Sequence, residues 1–398
     1  MKRSTDRIRT THAGSLPRPD DLRELVGARA AGQPYDQQRL ATREREAVAE
    51  VVQKQRACGV DIVNDGEFGK VGFSNYAKER LSGFEEREVT PGEAPIGIQG
   101  RDLREFRGYF PEHPDGGASV TGGGQIDRRR IGARGERRLP FCTGPLRYIG
   151  HAEIQRDLEN FRAGLRGTGV DEAFVPAVAP GTIEHWLRNA YYPNDEAYLL
   201  AIADAMHEEY RAIVDAGFIL QIDDPDLPDA WQMHPDFSVP EYRKYAELRI
   251  DALNHALRGL PEDRVRLHVC WGSYHGPHKH DIPLRDIVDL VLNVRAQAYS
   301  VEAGNPRHEH EWTVWQEKKL PEGKLLIPGV VGHSSDFIEH PELVAQRLVR
   351  FAQIVGRENV IAGTDCGLGG RVGHPSIVWA KLQTLAQGAE RASEQLWG

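Results

Sequence analysis

Short apolar runs and amphipathic stretches alternate along most of the chain, and this alternation constrains the fold more than any single motif. Nine runs read as strands: residues 8–14 (IRTTHAG), 60–65 (VDIVND), 139–144 (LPFCTG), 172–179 (EAFVPAVA), 218–223 (FILQID), 265–270 (VRLHVC), 298–303 (AYSVEA), 325–331 (LLIPGVV) and 359–365 (NVIAGTD). Helix-like stretches lie between them. In LATREREAVAEVVQKQRACG, Leu40, Ala47, Val48, Val51 and Val52 share one stripe, and Gly59 follows as a stop signal. NDEAYLLAIADAMHEEYRAIVDAG opens on Asn194, a plausible cap, and closes on Gly217. HPELVAQRLVRFAQIVG ends the same way, at Gly356. Strand and helix in alternation predict a parallel sheet with helices outside. About eight such units fit an α/β (β/α)8 barrel of the TIM type. One of the nine runs, the first or the third, then lies outside the barrel or at its edge. An open doubly wound sheet is the competing architecture, but no G-x-G-x-x-G follows the first run.

One stretch breaks the rhythm. Residues 85–137 are polar, glycine-rich and charged, and read as a long loop inserted into a single catalytic domain spanning 1–398. Arg128, Arg129, Arg130, Arg134, Arg137 and Arg138 cluster there and around its end, as an anion site or as a solvated surface. The net charge of −9 offers no global attraction to nucleic acid or to an acidic membrane. No apolar run reaches the ~18 residues a bilayer span needs. The opening MKRSTDRIRT lacks the apolar core of a signal peptide. Four cysteines in 398 residues are too few for a disulfide framework, so a cytoplasmic protein with reduced thiols is expected.

The chemistry concentrates at strand ends. His268 and Cys270 stand two apart in LHVCWG, so both side chains leave the same face of the strand. In a barrel, the inward face at a strand's C-terminal end is where catalytic residues sit. Glu302 closes the next run, and burying it requires a partner or a metal. Cys366 follows the last run in TDCGLG. An imidazole, two thiols and a carboxylate converging from three strand ends suit zinc. Each alone is weaker: a buried strand cysteine is usually core filler. Glu67 and Asp223 also follow apolar runs; they read either as a carboxylate pair facing one pocket or as helix caps. Trp186 reads as a residue near a helix start, in core or pocket.

The order H-x-C, then Glu302, then D-C-G-L resembles the catalytic half of the cobalamin-independent methionine synthases, and also the related epoxyalkane:coenzyme M transferases. TTHAGSLPRP, NDGEFGK, APGTIEHW and LQIDDPDL are similar to further segments of that superfamily, in the same order. The resemblance implies that His268, Cys270, Glu302 and Cys366 bind zinc. It implies that Ser15, Glu67 and Asp223 hold the amino-acid part of a thiol, and that Trp186 stacks a donor ring. His333 falls near a histidine that handles a proton; Asp223 is the other acid for the leaving group.

The implied activity is zinc-dependent methyl transfer to homocysteine or a similar amino thiol, as in methionine biosynthesis. The alkyl donor is left open between a folate, a methylated corrinoid protein and an epoxide. Epoxide opening by coenzyme M is the alternative, with Arg18, Arg307 or the arginine run as its sulfonate site. A non-catalytic barrel with structural zinc is the reading of another class. The loop histidines His275, His278, His280, His308 and His310 flank the expected site without an assigned role, and the oligomeric state is open.

Overall fold

The computed structural model describes residues 1–88, 100–109, 138–272 and 276–398. Its strands are β1 (Arg9–Thr10), β2 (Ile62–Val63), β3 (Phe84–Glu88), β4 (Arg138–Cys142), β5 (Glu172–Val178), β6 (Arg188–Asn189), β7 (Ile219–Asp223), β8 (Val265–Val269), β9 (Ala298–Glu302), β10 (Leu325–Val331) and β11 (Ile361–Thr364). Eight of them form a parallel sheet in the order β1-β11-β10-β9-β8-β7-β5-β2. Its two ends approach each other: Asp61 N donates to Thr10 O at 3.2 Å, and Thr11 Oγ1 donates to Ile62 O at 3.0 Å. The result is a nearly closed barrel of the TIM type.

Of the nine runs, it is the third that lies outside. In a three-stranded side sheet, β4 pairs antiparallel with β3 and parallel with β6. Strand β3, FEERE, is mostly exposed and has no apolar alternation, so ladder hydrogen bonds rather than patterning hold it. The arginines at 128, 129, 130, 134 and 137 lie outside the described residues, as does His275.

Helices form where the stripes predicted them. Gln37–Ala57 is capped by Asp36, whose side chain accepts from Arg39 N at 3.0 Å, and it buries Leu40, Ala47, Val48, Val51 and Val52. Asn194 caps Asp195–Asp215 by accepting from Ala197 N at 2.8 Å. After the stops, Gly59, Gly217 and Gly356 take positive φ, which costs glycine least.

The barrel interior is layered by register. Ile62, Phe174, Ile219, Ala298, Leu325, Ile327 and Ile361 make an apolar plug near the strands' N-terminal ends. Above it Gln221 of β7 stands beside Arg266 of β8, and Arg266 Nε donates to Gln221 Oε1 at 2.7 Å. The guanidinium stacks 3.4 Å over the Phe174 ring and also donates to Thr11 Oγ1 and His12 O, which compensates its burial. One layer higher, Asp223, His268 and Ser300 stand side by side on β7, β8 and β9. The period of two therefore delivers a polar row at the C-terminal rim, with a polar layer beneath it.

Candidate active site

His268 ends its inward row buried. Its Nδ1 lies 3.1 Å from Ser300 Oγ, while Nε2 is buried with no hydrogen-bond partner among the described residues. Cys270 follows β8 by one residue, and Cys366 follows β11 by two. Their Sγ atoms are 3.7 Å apart, and both thiols are free of disulfides. The ligand atoms of His268, Cys270 and Cys366 all lie within 4.8 Å of one another, the one such group among the described residues. A hydrogen bond shared with Cys270, and the facing imidazoles of His268 and His333, pull the Cys366 thiol well below its usual pKa. Cys270 keeps the proton of the shared bond and is pushed up. An imidazole nitrogen turned to the Cys366 thiol, with the Cys270 thiol beside it, is a donor set that fits zinc, and Ser300 orients the ring from behind.

Glu302 lies beside this group and outside it. Its Oε1 accepts from Trp271 N at 3.0 Å and its Oε2 from Asn305 Nδ2 at 2.7 Å. Asn305 Nδ2 also donates to Asp365 Oδ2 at 3.1 Å, and Asp365 Oδ1 accepts from Ala303 N and Gly304 N. Burial raises the Glu302 pKa well above the usual carboxylate range.

The same centre opens into a pocket whose lining includes Ser15, Glu67, Trp186, Asp223, His268, Cys270 and Cys366. Seven of the nine residues singled out from sequence thus share one cavity. Glu67 holds φ +63, a conformation a non-glycine residue adopts only under local constraint, and its N donates to Asp65 Oδ1 at 2.9 Å. Burial and the neighbouring Asp223 charge push Glu67 up to about 8. Burial likewise lifts Asp223 to about 6, against the pull of His268. The Lys70 charge pulls both carboxyl groups down without offsetting their burial. Gln221 Nε2 ties Asp223 Oδ1 at 2.7 Å to the layer below.

Trp186 differs from expectation in position: it ends the helix Pro180–Trp186 rather than starting one, and its ring reaches the pocket. His333 is buried just past β10, outside the pocket lining, with both ring nitrogens unpartnered among the described residues. Burial lowers it to about 4, so the ring is neutral near pH 7.

Three of the loop histidines are engaged in structural contacts. His308 Nδ1 lies 2.9 Å from Glu311 Oε2, its Nε2 lies 3.2 Å from Asp281 Oδ2, and its ring stacks on Trp271 at 4.1 Å. His278 Nδ1 also reaches Asp281 Oδ2, at 2.8 Å, His280 Nε2 pairs with Glu105 at 2.6 Å, and His310 is exposed. Arg18 and Arg307 do not line the pocket: Arg18 spends its guanidinium on Glu67 O and Lys70 O, and Arg307 on Lys279 O.

Sequence reasoning missed Phe73, Asp226, Asp229 and Arg371, which line the pocket, and Asn305 behind Glu302. Asp226 and Asp229 follow Asp223 at helical spacing in DDPDLPD, a signal that was present. Phe73 and Arg371 lie in loops, where periodicity says nothing about direction.

Known proteins place this geometry in context. The sequence model of the family described as cobalamin-independent synthase, catalytic domain, matches residues 178–390. A methionine synthase of Sulfolobus acidocaldarius is 25% identical over 390 residues, covering 97% of this chain and 93% of the relative. That of Thermococcus kodakarensis is 24% identical over 97% of this chain and 94% of its own. Among solved structures, a B12-independent methionine synthase from a Shewanella species in complex with selenomethionine superposes with a TM-score of 0.70 at 21% identity. That superposition covers 98% of this chain and 99% of the other. Among the described residues, no helix is long and apolar enough to cross a membrane.

Proposed function

This chain belongs to the cobalamin-independent methionine synthase family, through its catalytic domain, and from that premise we propose that it is a zinc-dependent S-methyltransferase acting on homocysteine or a similar amino thiol. The observation that carries the reading is the convergence of His268, Cys270 and Cys366 at the edge of the pocket that also holds Glu67 and Asp223.

His268, Cys270 and Cys366 would hold the metal, with Glu302 as a fourth ligand when its carboxylate turns from Trp271 N and Asn305. Zinc bound there would lower the pKa of a substrate thiol and present it as a thiolate. The chain's own residues do the remaining work. Glu67 and Asp223 receive the substrate ammonium, which resolves their mutual repulsion. Ser15 holds the same amino-acid end. The faces of Trp186 and Phe73 exclude water and position the methyl donor. As the new S–CH3 bond forms, the carbon–leaving-atom bond breaks. The leaving atom then takes a proton, for which Asp223 and His333 are the assigned carriers.

The test is the visible spectrum of cobalt-substituted protein. Two cysteinate ligands give a sulfur-to-cobalt charge-transfer band. Homocysteine at low concentration should intensify it, and coenzyme M should not. A spectrum indifferent to homocysteine would remove the amino-thiol assignment, and a response to coenzyme M alone would move the protein to another acceptor.

A further inference from the structure

Among the described residues lining the pocket, Arg371 alone carries a permanent positive charge, in a lining that also holds Glu67, Asp223, Asp226 and Asp229. Its Nη2 is buried and has no hydrogen-bond partner among the described residues. The Cys366 sulfur is close enough to act on its charge.

The backbone that carries Arg371 is pinned on both sides. Leu368 N and Gly369 N both donate to Ser15 O, at 2.9 and 3.0 Å. Two residues beyond Arg371, Gly373 N donates to Asp336 Oδ1 at 2.7 Å. The first anchor is a close fit: a Cβ on Gly367 would lie 2.3 Å from Ser15 Oγ, and one on Gly369 would lie 2.7 Å from Leu16 O. These anchors fix where the backbone of Arg371 leaves the strand end, beside Ser15 at the pocket wall. A desolvated guanidinium N–H without an acceptor is an incomplete interaction, and its planar fork matches a carboxylate.

We propose that Arg371, beside Ser15, is an anion subsite that takes the α-carboxylate of the amino-thiol substrate. The inference rests on the thiol reading above and adds the group that reads the other half of the zwitterion. The ammonium goes to Glu67 and Asp223, the carboxylate to Arg371, and the sulfur to the cysteine end. Arg371 thereby becomes the residue that separates an amino-acid thiol from a simple aminothiol. A carboxylate on the methyl donor has the same chemistry, and the experiment distinguishes the two sources.

Zinc-loaded wild type, Arg371→Met and Arg371→Lys are compared by calorimetric titration with homocysteine and with 3-aminopropane-1-thiol, which lacks the carboxylate. A hydrogen-bonded charge pair at this position corresponds to roughly 10- to 100-fold in affinity. Wild type should prefer homocysteine by about that factor, and Arg371→Met should lose the preference by weakening homocysteine alone. Arg371→Lys should recover part of it, and unchanged zinc content shows that each variant is folded. If Arg371→Met instead leaves homocysteine binding intact and raises KM for a methylfolate, the subsite stands but the carboxylate belongs to the donor. If it changes neither, the subsite does not exist. Wild type that binds neither thiol would overturn the thiol reading itself, and this inference with it.

Discussion

Gly14→Ala should weaken the binding of the substrate ammonium while leaving the metal centre intact. A Cβ on Gly14 would lie 2.4 Å from Glu67 Oε1. Ordinary carbon–oxygen approach stops near ~3.3 Å, so the carboxylate must retreat by about 0.9 Å. A charge-assisted bond of ~2.8 Å then opens to ~3.7 Å, beyond hydrogen-bonding range. Losing such a bond costs about 1.5–3 kcal/mol, or about 10- to 150-fold in homocysteine affinity. Gly14 also holds φ +146, where an L side chain is strained. That strain should remove a further ~1–3 kcal/mol of folding stability. The assay is calorimetric titration of zinc-loaded protein with homocysteine and with 4-mercaptobutanoate, which lacks the amino group. The second thiol should bind wild type and variant alike. Zinc affinity should not change, because the atoms nearest a Cβ on Gly14 belong to Glu67 and Gln221, not to the proposed ligands. A variant that binds homocysteine as wild type does, at unchanged stability, would refute the placement of Glu67 as the ammonium partner.

Three further outcomes are expected. Cys366→Ser or Cys270→Ser should lower zinc affinity by about 10²- to 10³-fold, one ligand's share of a typical site, in competition with a chromophoric chelator. Cys58→Ser and Cys142→Ser should leave it unchanged. His308 is pushed up to about 10 because its bonds to Asp281 and Glu311 outweigh burial, so its stabilisation is complete below the free imidazole value of ~6.5 and is lost as pH rises towards about 10. Denaturation midpoints should fall across that window, and His308→Gln should flatten the slope. Glu209→Leu should cost about 3–5 kcal/mol in denaturant unfolding, because it strands the buried Arg80 guanidinium, 3.0 Å from Glu209 Oε2, with Asp157 alone. A loss below about 1 kcal/mol would show that the pair contributes little net stability.

How much was legible in the sequence follows from where each signal originates. Strands β7 to β11 announced themselves as short runs rich in apolar residues, because they are buried on both faces, with polar residues mainly at inward positions such as Gln221, Asp223, Arg266, His268 and Glu302. His268, Cys270, Glu302 and Cys366 were visible as soft or charged residues where apolar ones were expected. Their convergence follows from parallel strand ends meeting at one rim. What the sequence withheld was rotamer and partner. The sequence reads Glu302 as a ligand like the others and carries no sign that Trp271 N and Asn305 Nδ2 hold its two oxygens beside the His268, Cys270 and Cys366 group. Asn305 sits in a loop, and no periodicity points it at Glu302. Arg266 occupies an inward position of β8, so its charge was an available but unused signal of the polar layer. Strand β3 was hidden because an exposed FEERE segment carries no hydrophobic alternation.

The rim of the barrel divides into two mechanical halves. His268 lies in β8, and Cys270 and Cys366 follow β8 and β11; in β8 Arg266, Leu267 and His268 pair on both sides. Ser15 and Glu67 instead follow β1 and β2, two-residue strands that meet across the seam through the Asp61 amide and the Thr11 hydroxyl. The proposed metal ligands are therefore mounted on stiff staves, as is Asp223 at the end of β7, while Ser15 and Glu67 of the proposed substrate site ride on the looser pair. Loop changes that retune Ser15 and Glu67 for a different thiol need not disturb the sulfur-activating centre. In a lineage built on this barrel, acceptor choice can drift along the seam while the chemistry stays where it is.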